Sequence, residues 1–369
     1  MNIGFDAKRA LNNHTGLGVY SRNLLNALFQ HYPQESYHLF SAAINEELLA
    51  ELKGVFRIHT PHTVLNEMFP ALWRSQGVVR DLKANRIQVY HGLSNEIPMF
   101  DSSARHIKKV VTIHDLIFLK EQQQYPFIDR QIYKAKVGYA CKHADVIVAT
   151  SEQTKQDLVN YFKVSEQRIK VVYQNCDSRF FEPVIDTEKQ AVRLRYNLPN
   201  RFILNVSSFY PRKNQVTLIK AFASISAKTN HHLLLVGGNE SERQKCERLV
   251  VELQLSKRVT FLSNIPATDM PVIYKLADMF VYPSFFEGFG IPIVEAMASG
   301  TKVLCSDISC FREVGEEEVR YFDPNEPSSI SELMLLEIQK EQAGANAEKI
   351  VKRFSSIAFA QEMISLYTD

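Results

Sequence analysis

Short apolar runs recur along this 369-residue chain, each followed by a polar turn and then a stretch with helical spacing. That alternation restricts the fold more than any other feature of the sequence. Met1–Phe5, Tyr37–Phe40, Val89–His91, Lys109–Ile113, Val146–Ala149 and Ile169–Tyr173 read as strands of the first half, with Val55–Ile58 a further short one. Phe202–Val206, His232–Val236, Val259–Leu262, Met279–Tyr282 and Lys302–Leu304 repeat the logic in the second half. These runs do not alternate inward and outward, as expected of strands buried on both faces of a parallel sheet. Helices fill the gaps, among them Val19–Phe29, with Leu24, Leu25 and Leu28 on one face, and Asn66–Ala84, interrupted at Pro70. Helices are also expected across 328–342 and 344–366, and a polar, aromatic loop over Lys120–Pro126. Periodicity lapses after Gln174, so the interdomain linker is placed near 176–190. The reading is α/β: parallel-sheet domains over 1–178 and 179–351, with a helix at about 352–369 packing back on the first. A cleft facing the carboxyl ends of both sheets is the expected ligand site.

Charge narrows the function. Lys and Arg total 43 against 41 Asp and Glu, a net charge of +2, which makes no case for nucleic acid. The run from Arg105 to Lys109 is a solvated strand flank or a contact for a membrane surface. Five scattered cysteines lack metal or disulfide spacing, and no run reaches the length of a membrane span, so a cytoplasmic protein is expected.

Chemistry concentrates at strand ends. Pro283–Gly300 reads PSFFEGFGIPIVEAMASG: a glycine-flanked loop with Glu287, a helix entered at Pro292 and carrying Glu295, and a stop at Gly300. Its first amides face the crevice beyond the preceding strand. Ser207–Asn214 ends another strand with Arg212 and Lys213, a fork and a mobile point charge suited to pyrophosphate. Ser207 stands at its start, and Gly237, ending the next strand, leaves space for a ligand. Gly16 and Gly18 lie between the first strand and first helix, where free N–H groups can cradle phosphate, although the spacing matches neither the dinucleotide fingerprint nor a P-loop. His114 follows an apolar strand and is expected to point into the cleft, oriented or protonated by Asp115. His91 ends its own strand and lines the same wall more weakly. The plain alternatives are an ordinary strand–turn–helix unit, a tight loop, a solvated charge pair and a satisfied surface histidine. Cations for a diphosphate and carboxylates for vicinal diols together outline a nucleotide-sugar site.

With these residues in view, the chain resembles a retaining glycosyltransferase of glycosyltransferase family 4, with the GT-B architecture of two Rossmann-like domains facing each other across a cleft. The closest match is Ala277–Gly300, which includes the E-x7-E pattern formed by Glu287 and Glu295. Gly16-Leu-Gly18 with Tyr20, Thr112–Leu116 and Pro211–Asn214 match as well, the last resembling the mannosyl- and rhamnosyltransferase-like branch. The resemblance implies that Glu287 meets the transferred sugar and that Phe289, Gly290 and Ile291 hold sugar or phosphate through their amides. It further implies that Glu295 accepts from the ribose, that Arg212 and Lys213 neutralise the diphosphate with Gly16–Gly18 approaching it, and that His114 lies beside the sugar. No protein nucleophile, metal or separate cofactor is implied. The donor is a GDP-mannose-type or a UDP-linked sugar, and the acceptor a glycan, lipid-linked or polysaccharide hydroxyl in cell-surface glycan synthesis. Many relatives carry Gly-Arg where Ser207-Ser208 stands, and Asn175-Cys-Asp is one residue shorter than the usual turn, which leaves the donor and the hinge open. A sugar-nucleotide epimerase, another GT-B enzyme and a non-catalytic sugar-nucleotide-binding protein are the competing readings.

Overall fold

The computed structural model describes every residue except 122–124, 239–240, 341–345 and 369. The chain divides into two compact units, Met1–Asn175 with Ser356–Asp369, and Cys176–Ser355. In the first unit the described strands are β1 (Asn2–Asp6), β2 (Ser36–Phe40), β3 (Arg57–His59), β4 (Val89–Gly92), β5 (Lys108–Ile113), β6 (Val146–Ala149) and β7 (Ile169–Val171). They form one parallel sheet in the order β3-β2-β1-β4-β5-β6-β7. Both faces are covered, which explains the unbroken apolar runs: Val110 joins a core with Phe5, Leu24 and Leu28, while its neighbour Val111 joins Trp73, Leu82 and Ile147 on the other side. The order reverses between β1 and β4. Loops leaving their carboxyl ends therefore part and leave a crevice, the usual ligand position in such sheets.

The helix Ser356–Thr368 completes the first core, burying Phe359, Ala360, Met363 and Tyr367 beside Leu24 and Leu28 of helix Gly16–His31. The helix expected over 344–366 is in fact two, Ala347–Phe354 in the second unit and Ser356–Thr368 in the first. The parts of that expectation and of the one over 328–342 that fall on 341–345, and residues 122–124 of the expected loop, lie outside the described residues.

Asn66–Ala84 also differs from expectation. It is Val64–Met68, Pro70–Leu72, a π-helical turn at Trp73–Gly77 and Val78–Ala84. Pro70 lacks the N–H that would continue the first piece. The wide turn accompanies two anchors. The buried Trp73 indole donates to Asp81 at 2.6 Å, and Arg74 Nη2 lies 2.5 Å from both Asp6 and Glu96 carboxylates.

The second unit holds β8 (Phe202–Val206), β9 (His232–Val236), β10 (Val259–Leu262), β11 (Met279–Tyr282), β12 (Lys302–Ser306) and β13 (Arg320–Phe322). They form a parallel sheet in the order β10-β9-β8-β11-β12-β13, with the reversal between β8 and β11. The three residues of β13 were too few to show any period. Among the described residues, no helix is long and apolar enough to cross a membrane.

Candidate active site

Because β8 and β11 are neighbours, with Ile203 beside Met279, the segments leaving their carboxyl ends emerge side by side. The first turns through Pro211–Lys213 and stops at Asn214, whose φ is 59°. The Asn214 amide donates to Pro283 O at 3.1 Å and Pro324 O at 2.8 Å, and Phe285 N–H donates to Arg212 O at 2.8 Å. These bonds lock the two segments together. Their result is a compact cluster. Lys213 Nζ pairs with Glu287 Oε1 and donates to the Tyr282 hydroxyl at 2.8 Å. Arg212 Nη1 lies 2.9 Å from Glu287 Oε2, and Tyr282 donates to Glu287 Oε1 at 3.2 Å. Burial alone would raise the Glu287 pKa, but the Lys213 and Arg212 charges outweigh it and hold the carboxyl at about 2. Glu287 is a carboxylate at any working pH. Tyr282 was not among the expected site residues, because a tyrosine ending an apolar strand gives no sign of where its hydroxyl points.

Glu295 sits on the helix Ile291–Ala298, entered through Gly290. Gly290 has φ +115°, and a Cβ there would stand 2.9 Å from the Phe311 ring. The glycine is demanded twice over, by backbone conformation and by space. Tyr274 donates to Glu295 Oε2 at 2.9 Å. Burial, with a smaller push from Asp177, raises the Glu295 pKa to about 7 against that hydrogen bond. The Phe289 side chain is buried edge-on to Phe354. Ile291 is the first residue of the helix, one before the expected entry at Pro292.

Two expectations need correction in this unit. Gly237 does not open space for a ligand: a Cβ there would come within 2.1 Å of Ser207 O, so the glycine serves the close passage of two strand ends. The Ser207 hydroxyl is already engaged, donating to Asn205 at 3.2 Å and accepting from Gln215 at 2.8 Å.

In the first unit His114, expected to point into the cleft, is buried. Its Nε2–H donates to Leu93 O at 2.8 Å, its N–H donates to Asn95 Oδ1 at 2.9 Å, and the Tyr20 ring meets it edge-on at 4.5 Å. Asp115 does not hold the ring. Its Oδ1 accepts from Ile117 N–H at 3.0 Å. Burial lowers the His114 pKa, opposed by the Leu93 carbonyl and Asp115 and reinforced by Arg9, so the imidazole is neutral. His91 is no wall residue: it is fully buried between Tyr367 at 2.7 Å and Thr112 at 2.8 Å, and burial drives its pKa down to about 3. The Gly18 N–H is spent on Thr15 O at 2.8 Å, and a Cβ on Gly18 would fall 1.7 Å from Asn13 O. Gly18 is thus a close-approach residue, while Gly16 opens the helix with clear space around it.

Residues 15–178 match the family model described as glycosyltransferase family 4, and residues 186–353 the model described as glycosyl transferases group 1. The chain belongs to glycosyltransferase family 4. This family 4 glycosyltransferase is 29% identical over 374 residues to O-antigen chain mannosyltransferase B of Escherichia coli, covering 96% of each chain. It is 30% identical over 235 residues to the serotype-specific mannosyltransferase WbdA of Escherichia coli, an alignment covering 62% of this chain and 29% of that one. The crystal structure of Anabaena Alr3699/HepE in complex with UDP-glucose superposes with a TM-score of 0.80 at 18% identity, covering 100% of this chain and 99% of the other. The structure of WaaG, a glycosyltransferase involved in lipopolysaccharide biosynthesis, gives 0.67 at 16% identity, covering 100% and 97%. The family 4 glycosyltransferase has the GT-B architecture, with parallel sheets in both units.

Proposed function

We propose that this glycosyltransferase moves mannose from GDP-mannose to a hydroxyl of a glycan or lipid-linked acceptor, with retention and without a metal, in cell-surface glycan synthesis of the O-antigen kind. The relatives named as O-antigen mannosyltransferases support the sugar and the setting. The observation that carries the chemistry is the Lys213–Glu287–Arg212 cluster at the carboxyl ends of β8 and β11. Without donor, the two cations neutralise Glu287. With donor, the diphosphate takes over Lys213 and Arg212, and Glu287 accepts from sugar hydroxyls instead. As the glycosidic bond breaks, negative charge grows on the diphosphate, where a fork and a point charge stabilise it most. A carboxylate whose pKa is held at about 2 is too weak a base to take the acceptor proton. Deprotonation of the acceptor therefore falls to the leaving phosphate, with no protein nucleophile. Glu295 accepts from the ribose, and the amides of Phe289, Gly290 and Ile291 hold sugar or phosphate. The exposed Val64, Leu65, Met68 and Phe69 of the first unit suit a lipid-linked acceptor or a membrane surface beside it.

The test is a donor screen in the presence of a chelator, following nucleoside-diphosphate release and thermal stabilisation across GDP- and UDP-linked sugars, with the product anomer read by NMR. GDP-mannose turnover with the α-configuration kept is expected. Turnover of UDP-sugars alone refutes the donor, and an inverted anomer refutes the mechanism.

A further inference from the structure

The crevice end of the first sheet holds charge that the site described above does not use. Asp6 ends β1, and its carboxylate is taken by Arg74 through Nε at 2.9 Å and Nη2 at 2.5 Å. Glu96, in the segment after β4, is shared between Arg74 at 2.5 Å and Lys136 at 2.9 Å. Both carboxylates are therefore occupied. Lys8 and Arg9, which follow β1 directly, make no ion pair among the described residues, although Lys8 still feels the Glu96 and Asp6 charges. Arg9 is the sharper case. Its Nε is buried with no hydrogen-bond partner, and no ion pair is made by its guanidinium among the described residues. Two other arginines of this unit behave differently. Arg22 donates to Glu51 and to the carbonyls of Ala10 and Asn13, and Arg168 donates to the carbonyls of Cys141 and Ala144. A guanidinium carries five donors, and leaving its Nε buried and unmet is costly unless something else supplies the acceptor.

We propose that Arg9 is a phosphate-binding residue of the first unit, taking a phosphate oxygen of a substrate at the carboxyl end of β1, with Lys8 beside it. The placement fits the ligand-binding end of a sheet at its reversal point, and a guanidinium suits phosphate through paired N–H donors. The Arg9 charge is felt at His114, where it adds slightly to the burial that lowers the imidazole pKa. Lys8 is held below the usual lysine range, first by burial and then by Arg74, with Arg9 adding to it and Glu96 and Asp6 opposing. The inference rests on the reading of the chain as a nucleotide-sugar transferase. The phosphate belongs either to the donor diphosphate or to a phosphate-linked acceptor lipid.

Arg9→Ala and Arg9→Lys, each checked for an unchanged circular dichroism spectrum, are assayed with donor and acceptor varied separately. The acceptors are a short-chain lipid diphosphate mannoside and an alkyl mannoside that lacks phosphate, and inorganic pyrophosphate serves as inhibitor. The expectation is a KM about tenfold or more higher in Arg9→Ala for the phosphate-bearing substrate, a smaller change in kcat, and partial rescue in Arg9→Lys. A raised donor KM with weaker pyrophosphate inhibition assigns the donor. A raised KM for the lipid diphosphate mannoside but not the alkyl mannoside assigns the acceptor. Unchanged KM values, or equal losses for every substrate, overturn the proposal. If Arg9→Ala does not fold, the same comparisons are read from Arg9→Lys and Arg9→Gln. Lys213→Ala is run in parallel: normal transfer in that variant refutes the donor site itself, whatever Arg9 does.

Discussion

Glu287 and Glu295 lie eight positions apart, yet their surroundings drive them in opposite directions, and each direction has a measurable consequence. Glu287 is held at about pKa 2, below its value in the unfolded chain, so its contribution to stability is present above about pH 4.5 and lost as pH falls toward 2. Acid unfolding of the native protein is expected to steepen in that window, and Glu287→Gln to flatten it, as followed by circular dichroism. Glu295 is raised to about 7, so the folded state binds the extra proton and stability declines as pH rises from about 4.5 to 7. The proposed ribose contact, however, requires the carboxylate. Donor KM is therefore expected to fall as pH rises through about 7, and Glu295→Gln to remove the dependence; a flat wild-type profile contradicts the assignment. Lys213→Ala is expected to lower transfer about 100-fold in steady-state assays, as does loss of one donor aimed at developing charge. It also leaves Glu287 with Arg212 as its one cation, at a cost to stability of about 1–3 kcal/mol by denaturant unfolding. The E-x7-E residues and the adjacent cations were legible in the sequence because type and spacing mark them. Their mutual pairing was not, since the segments bearing Lys213 and Glu287 lie 74 residues apart.

At the scale of elements, the strands were legible and the irregular pieces were not. A buried parallel strand writes itself as an apolar run, and nearly every one was found within two or three residues. The π-helical turn at Trp73–Gly77 has no such signature: its cause is where the Trp73 ring and the Arg74 guanidinium find partners, in Asp81 and Asp6. Glycines deceived in the same way. Gly18 and Gly237 were read as room for a ligand, but each gives room to the protein's own backbone. Gly290 is the position where element and site coincide. Gly290→Ala is expected to destabilise the second unit by about 1–3 kcal/mol and to misplace the start of the helix carrying Glu295. Thermal unfolding measures the first effect and donor KM the second.

At the scale of the molecule, the chain returns to its first unit at its end. Ser356–Thr368 supplies Phe359, Met363 and Tyr367 to that core, and the Tyr367 hydroxyl meets His91 at 2.7 Å. Deleting 356–369 uncovers an apolar face whose large side chains are each worth about 1.5–3 kcal/mol, so the first unit is expected to lose cooperative unfolding and become protease-sensitive. A truncated chain with an unchanged melting profile counts against that role. The sequence by itself determined the alternation of strand and helix, the parallel sheets and the chemical character of the donor site, because periodicity, glycine placement and charge are local properties written in neighbouring residues. Only the tertiary structure decided which groups are already satisfied: that His91 is closed in, that His114 is held by a carbonyl, that Glu287 is shared by two cations, and that Arg9 Nε is buried without an acceptor among the described residues. Such facts depend on distances between residues far apart in the chain, which no spacing along it records.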